Sequence, residues 1–148
     1  MHRARWLCFS LIGLAWVSAD AADYERWSTG TRTLTAGAAE IKVLVEASNL
    51  GSAEVEVAEA TFPVGYRTAG HTHGAIEIFY VVEGILEHTV NGEAQVLHPG
   101  MVGIVRPEDT VVHSTIGDVP VKAVVVWVPG GEAERLARAF ARRSAADK

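Results

Sequence analysis

The sequence predicts an all-β protein, an antiparallel sandwich or barrel that ends in one short α-helix. Short segments rich in valine and isoleucine recur along the chain, and turn residues such as glycine, proline and asparagine separate them. Two of these segments flank Asn91-Gly92, which is the strongest short-range signal for a β-hairpin. Many short strands at this spacing are typical of a sandwich or a barrel.

The composition limits the classes of function. The chain has 148 residues, which fits one domain, and 49% of them are hydrophobic, an ordinary balance for a globular protein. Its formal net charge of -5 argues against a surface that follows a phosphate backbone, so nucleic acid is not an expected partner. The single cysteine, Cys8, precedes the predicted fold, so the folded part has no thiol for disulfides or nucleophilic catalysis.

Residues 1–21 have the pattern of a secretory signal peptide. A basic start precedes an apolar run, Trp6 to Val17, that is too short to span a bilayer, and small residues follow it. Cleavage is expected between Ala19 and Asp23, which would leave a periplasmic or extracellular protein without contact to a membrane. A buried N-terminal helix is the alternative, but it does not explain the order of basic, apolar and small residues.

The predicted β-barrel occupies residues 40–129 and follows a polar N-terminal arm, residues 22–39, that we expect to be irregular. The first strand of the barrel alternates, with Ile41, Val43 and Val45 on one face. The other predicted strands follow in chain order: AEVEVAEATF, IEIFYVVEG, ILEHTV, EAQVL, MVGIV, TVVHSTI and VPVKAVVVWV.

The C-terminal segment, residues 130–143, predicts an amphipathic α-helix. Its apolar residues fall on one stripe, formed by Ala133, Leu136, Ala137 and Phe140. Glutamates at its start and arginines at its end suit the helix dipole. We expect this stripe to pack over the barrel.

One stretch, Gly65 to Gly84, carries side chains that indicate a metal site. His71, His73 and Glu77 all occupy odd positions, so an extended segment would point them toward one face. Two imidazoles and a carboxylate together suit a divalent transition metal. A distant predicted strand carries His113, and the interior of a barrel would allow it to join them.

The same stretch resembles the first sequence motif of the cupin superfamily. The pattern Gly65-x5-His71-x-His73-x3-Glu77-x6-Gly84 matches this motif at every position. The resemblance extends over roughly Glu40 to Val128.

The second cupin motif is matched more loosely. Gly100, Pro107 and His113 are present, but Asp109 stands where the family usually has glycine. One additional residue separates Pro107 from His113, and Gly117 replaces the usual asparagine. These departures affect the turn before His113 rather than the histidine itself.

The resemblance to cupins implies a jelly-roll β-barrel of roughly six to eight strands. It also implies one metal ion held by His71, His73, Glu77 and His113. Imidazole and carboxylate ligands without sulfur fit manganese, iron, nickel, cobalt, zinc or copper. The first functional hypothesis is an enzyme, dioxygenase-like or a lyase or isomerase, that acts on a small organic substrate. The alternative is a non-catalytic protein that binds or senses a metal or a small ligand.

His88 is the candidate catalytic residue outside this ligand set. The hairpin at Asn91-Gly92 pairs His88 with Gln95 on one face, between the pairs Val90–Glu93 and Leu86–Leu97. Inside a pocket, His88 would serve as an acid or base or support a ligand. An exposed polar pair is the alternative, and we favour it. Five other residues are candidates for the cavity wall: Tyr66, Arg67, Phe79, Arg106 and Trp127.

The strand IEIFYVVEG also predicts a contact surface. Phe79 and Val81 share the parity of the ligands, whereas Ile78, Tyr80 and Val82 point the other way. An exposed apolar face usually marks an interface, and a two-fold dimer is the commonest way to bury one. We therefore expect a homodimer. In the alternative, a monomer, the C-terminal helix covers this face.

Overall fold

The computed structural model describes residues 29–146, which form nine β-strands and two helices. Their bounds are β1 (Arg32–Ala36), β2 (Ala39–Val45), α1 (Ala47–Leu50), β3 (Glu56–Phe62), β4 (Ile76–Glu83), β5 (Ile85–Val90), β6 (Glu93–Leu97), β7 (Val102–Val105), β8 (Val111–Ile116), β9 (Val121–Val128) and α2 (Glu132–Ala146). The predicted signal peptide, residues 1–21, and the first part of the predicted arm lie outside the described residues.

The strands form two antiparallel sheets that pack together as a jelly-roll β-barrel. The larger sheet has the order β1-β2-β3-β9-β4-β7, and the smaller one has the order β6-β5-β8. Phe79 and Trp127 from the larger sheet share one buried cluster with Leu86 and Leu97 from the smaller sheet. This cluster is the hydrophobic core, and the predicted all-β fold is confirmed.

The predicted hairpin between β5 and β6 is present with the predicted register. Val90 pairs with Glu93 and His88 pairs with Gln95. Asn91 and Gly92 both have positive φ angles, 52° and 86°, as a two-residue turn of the favoured hairpin type requires. Local turn chemistry therefore sets the register of this hairpin.

The expectation of an irregular arm is wrong for residues 32–36. They form β1, which pairs with β2 through partners such as Leu34 and Ile41. Leu34 and Ala36 pack against the core, while Thr33 and Thr35, which alternate with them, are exposed. The sequence of this segment is mostly polar and does not predict a strand, because only two small or medium-sized apolar side chains face the interior.

The C-terminal helix is confirmed in kind, but its bounds differ from residues 130–143. Helix α2 begins at Glu132 and ends at Ala146. Its Leu136 is buried in the core cluster, and Phe140 packs against that cluster. Among the described residues, no helix is long and apolar enough to cross a membrane.

Strand β4 has the two different faces that its sequence predicts. Phe79 and Val81 are buried, whereas Tyr80 and Val82 are 43% and 46% exposed. Ile76 at the start of β4 is also exposed, and the neighbouring strands extend the outer face with further exposed apolar side chains: Val102, Ile104 and Val128. Because α2 packs on the interior cluster, this outer patch stays exposed with the helix in place.

We propose that the outer patch mediates a homodimer. Ile78 lies within it, between Ile104 and Val126 on the neighbouring strands. Ile78→Asp is expected to convert a dimer to a monomer in sedimentation velocity, because the buried carboxylate would lack a partner. Val96→Asp, at an exposed apolar position on β6, is the control and should leave the dimer intact. A wild-type protein that stays monomeric at tens of micromolar would contradict the proposal.

Candidate metal centre

A cavity of about 680 Å³ opens into one end of the barrel, between the sheets and α2. All four predicted ligands line it: His71, His73, Glu77 and His113. Four of the five other candidates also line it: Tyr66, Arg67, Phe79 and Trp127. Arg106 does not, because it lies in the turn before β8 with its side chain 74% exposed.

Three separate segments bring the four donors together. Glu77 is on β4 and His113 is on β8, whereas His71 and His73 lie in the loop that precedes β4. The expectation of one extended segment is therefore wrong for the two histidines, since β4 starts only at Ile76. His71 is instead fixed to β8 by two backbone hydrogen bonds with Val111, of 3.1 and 2.8 Å.

The donor atoms converge on Glu77. His73 Nε2 lies 3.3 Å from Glu77 Oε2, and His113 Nε2 lies 3.6 Å from Glu77 Oε1. The His71 ring lies 4.9 Å from that of His73 and 5.7 Å from that of His113, centre to centre. Ligands of one ion with bonds of about 2.0–2.1 Å stand roughly 3 Å apart, close to the separations around Glu77.

Hydrogen bonding also favours a shared ion. Within residues 29–146, the buried atoms His73 Nε2, Glu77 Oε1 and His113 Nε2 meet no hydrogen-bond partner in the protein. Buried polar atoms normally have a partner, so three such atoms in one cavity require an explanation. Nitrogen and oxygen donors of this kind fit a divalent transition metal.

The donors do not yet form a closed coordination sphere. As the side chains stand, no group of three or more histidine, cysteine or acidic residues in the described part of the chain is arranged to hold an ion. Binding therefore requires the donors to move closer together. His71 can contribute Nε2, because its Nδ1 faces the carbonyl oxygen of Ala69 at 2.9 Å and so carries the proton.

Residues behind the donors fix their orientation. Trp127 Nε1 donates a 3.0 Å hydrogen bond to Glu77 Oε2, and Trp127 is also the cross-strand partner of Glu77. His73 Nδ1 lies 3.0 Å from Glu132 Oε1, at the start of α2. The sequence marks Glu132 only as a charge at the start of a helix, because no local pattern relates it to a residue so distant in the chain.

Burial sets the charge states of the site. It raises the pKa of Glu77, although His73 and the Trp127 indole oppose this shift. Burial, reinforced by the neighbouring imidazoles, holds the pKa of His113 well below its ordinary value. Burial also raises the pKa of Glu132, but hydrogen bonds from His73, Arg135 and the Gly74 amide outweigh it and lower the pKa overall. The ring of His113 is therefore neutral, so one of its two nitrogens keeps a lone pair.

His88 lies behind His113 rather than on the cavity wall. The two residues are cross-strand partners, and their rings stack at 5.1 Å. The favoured interpretation of an exposed polar pair is wrong, because His88 is 1% exposed and only Gln95 is exposed. Burial lowers the pKa of His88, an effect that the Ile104 backbone partly offsets. His88 thus supports His113 and does not contact the cavity.

The fold and the site define a small jelly-roll protein with a histidine-lined internal cavity. The family profile described as "Cupin domain" matches residues 58–129. The chain belongs to the cupin superfamily, and the predicted family is confirmed. Cupins commonly bind transition metals.

Solved structures with a similar fold include other cupins. An RmlC-like cupin from Shewanella frigidimarina is 22% identical, with a TM-score of 0.62 over 74% of this chain and 95% of that chain. A cupin-like protein from Thermotoga maritima is 23% identical, with a TM-score of 0.58 over 71% and 81%. A predicted oxalate decarboxylase from Thermotoga maritima is 18% identical, with a TM-score of 0.59 over 68% and 92%. These similarities show a shared fold alone, and no curated protein matches the chain.

The packing of His88 depends on a glycine in β7. A Cβ atom at Gly103 would lie 2.7 Å from His88 Nε2, and the stacked ring of His113 restricts any movement of His88. Gly103→Ala is expected to reduce the free energy of unfolding by about 1–3 kcal/mol in urea denaturation. Gly70→Ala is the control, because its nearest neighbour would lie 3.5 Å from the new Cβ. Equal stability of the two variants would contradict this account.

Proposed function

We propose that this protein is a metal-dependent cupin that holds one divalent transition metal through His71, His73, Glu77 and His113. The observation that carries the proposal is a set of buried atoms that find no hydrogen-bond partner among the described residues: His73 Nε2, Glu77 Oε1 and His113 Nε2. Three neutral imidazoles and one carboxylate would leave the ion one net positive charge. Such an ion polarises bound oxygen atoms or acidifies bound water. The ligand set is compatible with manganese, iron, nickel, cobalt, zinc or copper.

The size and the lining of the cavity favour a small organic molecule as the ligand. Its volume of about 680 Å³ is within the range of small-molecule sites, about 300–1,000 Å³. Aromatic side chains form much of its wall, with Phe62 stacked on Tyr66 at 5.3 Å and on Phe79 at 5.8 Å. Arg67 and Arg135 also line it and supply polar contacts. A compact molecule with an apolar body and an oxygen-bearing end fits this combination.

The first hypothesis is that the protein is an enzyme, either dioxygenase-like or a lyase or isomerase. One observation favours a non-catalytic binding protein instead. Apart from the four donors, no histidine or acidic residue among the described residues lines the cavity, so Tyr66, whose hydroxyl donates to the carbonyl oxygen of Ala36, is the remaining tyrosine, histidine or acidic candidate for a separate acid or base. Oxygen uptake or product formation by metal-loaded protein would support the enzyme. Ligand-dependent increases in melting temperature without turnover would support the binding protein.

The metal site is tested by His73→Ala. Wild-type protein is expected to retain about one divalent ion per chain after dialysis, whereas the variant should lose most of it. Added ion should also raise the melting temperature of the wild type much more than that of the variant, since it binds only the folded state. His98→Ala, at an exposed histidine outside the cavity, is the control. Full metal content in His73→Ala would rule out this site.

We also propose that the protein acts in the periplasm or outside the cell. The support is the order of basic, apolar and small residues in positions 1–21. Mass spectrometry of the exported protein should find a start between Ala19 and Asp23. Exported protein that still begins at Met1 or His2 would contradict the proposal.

A further inference from the structure

Glu132, the first residue of α2, turns its carboxylate into the protein rather than toward solvent. It is 3% exposed, and both of its oxygens accept hydrogen bonds. Oε1 lies 3.0 Å from His73 Nδ1, and Oε2 accepts a 3.0 Å bond from the amide of Gly74. One carboxylate therefore holds both the ring and the following backbone of a proposed metal ligand.

Two further contacts attach the start of α2 to the barrel. The amide of Ala133 donates a 2.8 Å hydrogen bond to Glu56 Oε2, which is buried on β3. Arg135 donates to Glu132 Oε1 and to the carbonyl oxygen of Thr72, the residue before His73. The loop that carries His73 is thus fixed to α2 on both sides of the histidine.

The contact with Glu132 also determines which nitrogen of the His73 ring carries the proton. A carboxylate beside Nδ1 places the proton on that nitrogen, so the neutral ring has its lone pair on Nε2. Nε2 is the atom that faces Glu77, at 3.3 Å. The same helix forms part of the cavity wall through Arg135, Leu136 and Phe140.

We propose that Glu132 is a positioning residue of the metal centre and that ion binding and docking of α2 stabilise each other. This inference rests on the proposed metal site. If a docked helix favours the ion, then the bound ion favours the docked helix by the same factor, because the coupling of two equilibria is reciprocal. The cavity wall formed by α2 would then be most firmly closed when the ion is present.

The test compares Glu132→Gln with Glu134→Gln in the full mature protein, with Co²⁺ as the probe. Glu134 is a matched control, since it lies in the same first turn but binds Arg32 and Arg138 on the exposed side. Glu132→Gln should weaken Co²⁺ binding about tenfold or more and alter the visible spectrum of the bound ion. Glu134→Gln should bind Co²⁺ as the wild type does. Unchanged Co²⁺ affinity in Glu132→Gln would overturn the inference while leaving the proposed metal site intact.

Hydrogen exchange of the wild type gives a second, independent test. Saturating Co²⁺ should slow amide exchange in α2 about tenfold or more, since the bound ion favours the docked helix by the same factor by which docking strengthens ion binding. If Glu132→Gln fails to fold, this measurement on the wild type still tests whether ion binding stabilises the docked helix. Unchanged exchange in α2 on Co²⁺ binding would overturn the coupling. Failure of the wild type to bind Co²⁺, Zn²⁺ or Mn²⁺ would overturn the proposed metal site, and the coupling with it.

Discussion

The burial of Glu77 is the constraint on which the rest of the site depends. Its carboxylate is 2% exposed inside the barrel, near the start of β4, where an unpartnered charge is very costly. The indole of Trp127 and the ring of His73 favour the charged form, but they do not remove the effect of burial on its pKa. A positive ion shared with His73 and His113 would compensate the charge directly. The position of each donor around Glu77 is consistent with that role.

The interior of the barrel divides into an apolar part and a polar end, and α2 closes the polar end. Aromatic rings stack from Phe62 through Phe79 to His113, so the core continues without a gap into the donor set. His88 extends this stack behind His113, where Gly103 leaves room for its ring. Packing, rather than hydrogen bonding, therefore determines where the ring of His113 stands.

Sequence analysis recovers features that depend on local spacing and misses those that depend on distant partners. The two faces of β4 and the register at Asn91-Gly92 follow from alternation and turn chemistry, and both are confirmed. Strand β1 was missed because its pairing with β2, rather than its own composition, stabilises it. The burial of His88 depends on the absence of a side chain at Gly103, in another strand. Glu132 reaches His73 across 59 positions, and no local pattern encodes that contact.

Strand β4 links the proposed site to the proposed dimer, yet its geometry keeps the two separable. Glu77 faces the cavity, while its neighbours Ile76 and Ile78 face outward, because successive side chains of a strand alternate. A substitution on the outer face would therefore test the proposed dimer without removing a proposed donor. The backbone is nevertheless common to both faces, and β4 is hydrogen-bonded to β7 and β9 on its two sides. These bonds hold Glu77 in place within each chain, and the three other proposed donors belong to the same chain.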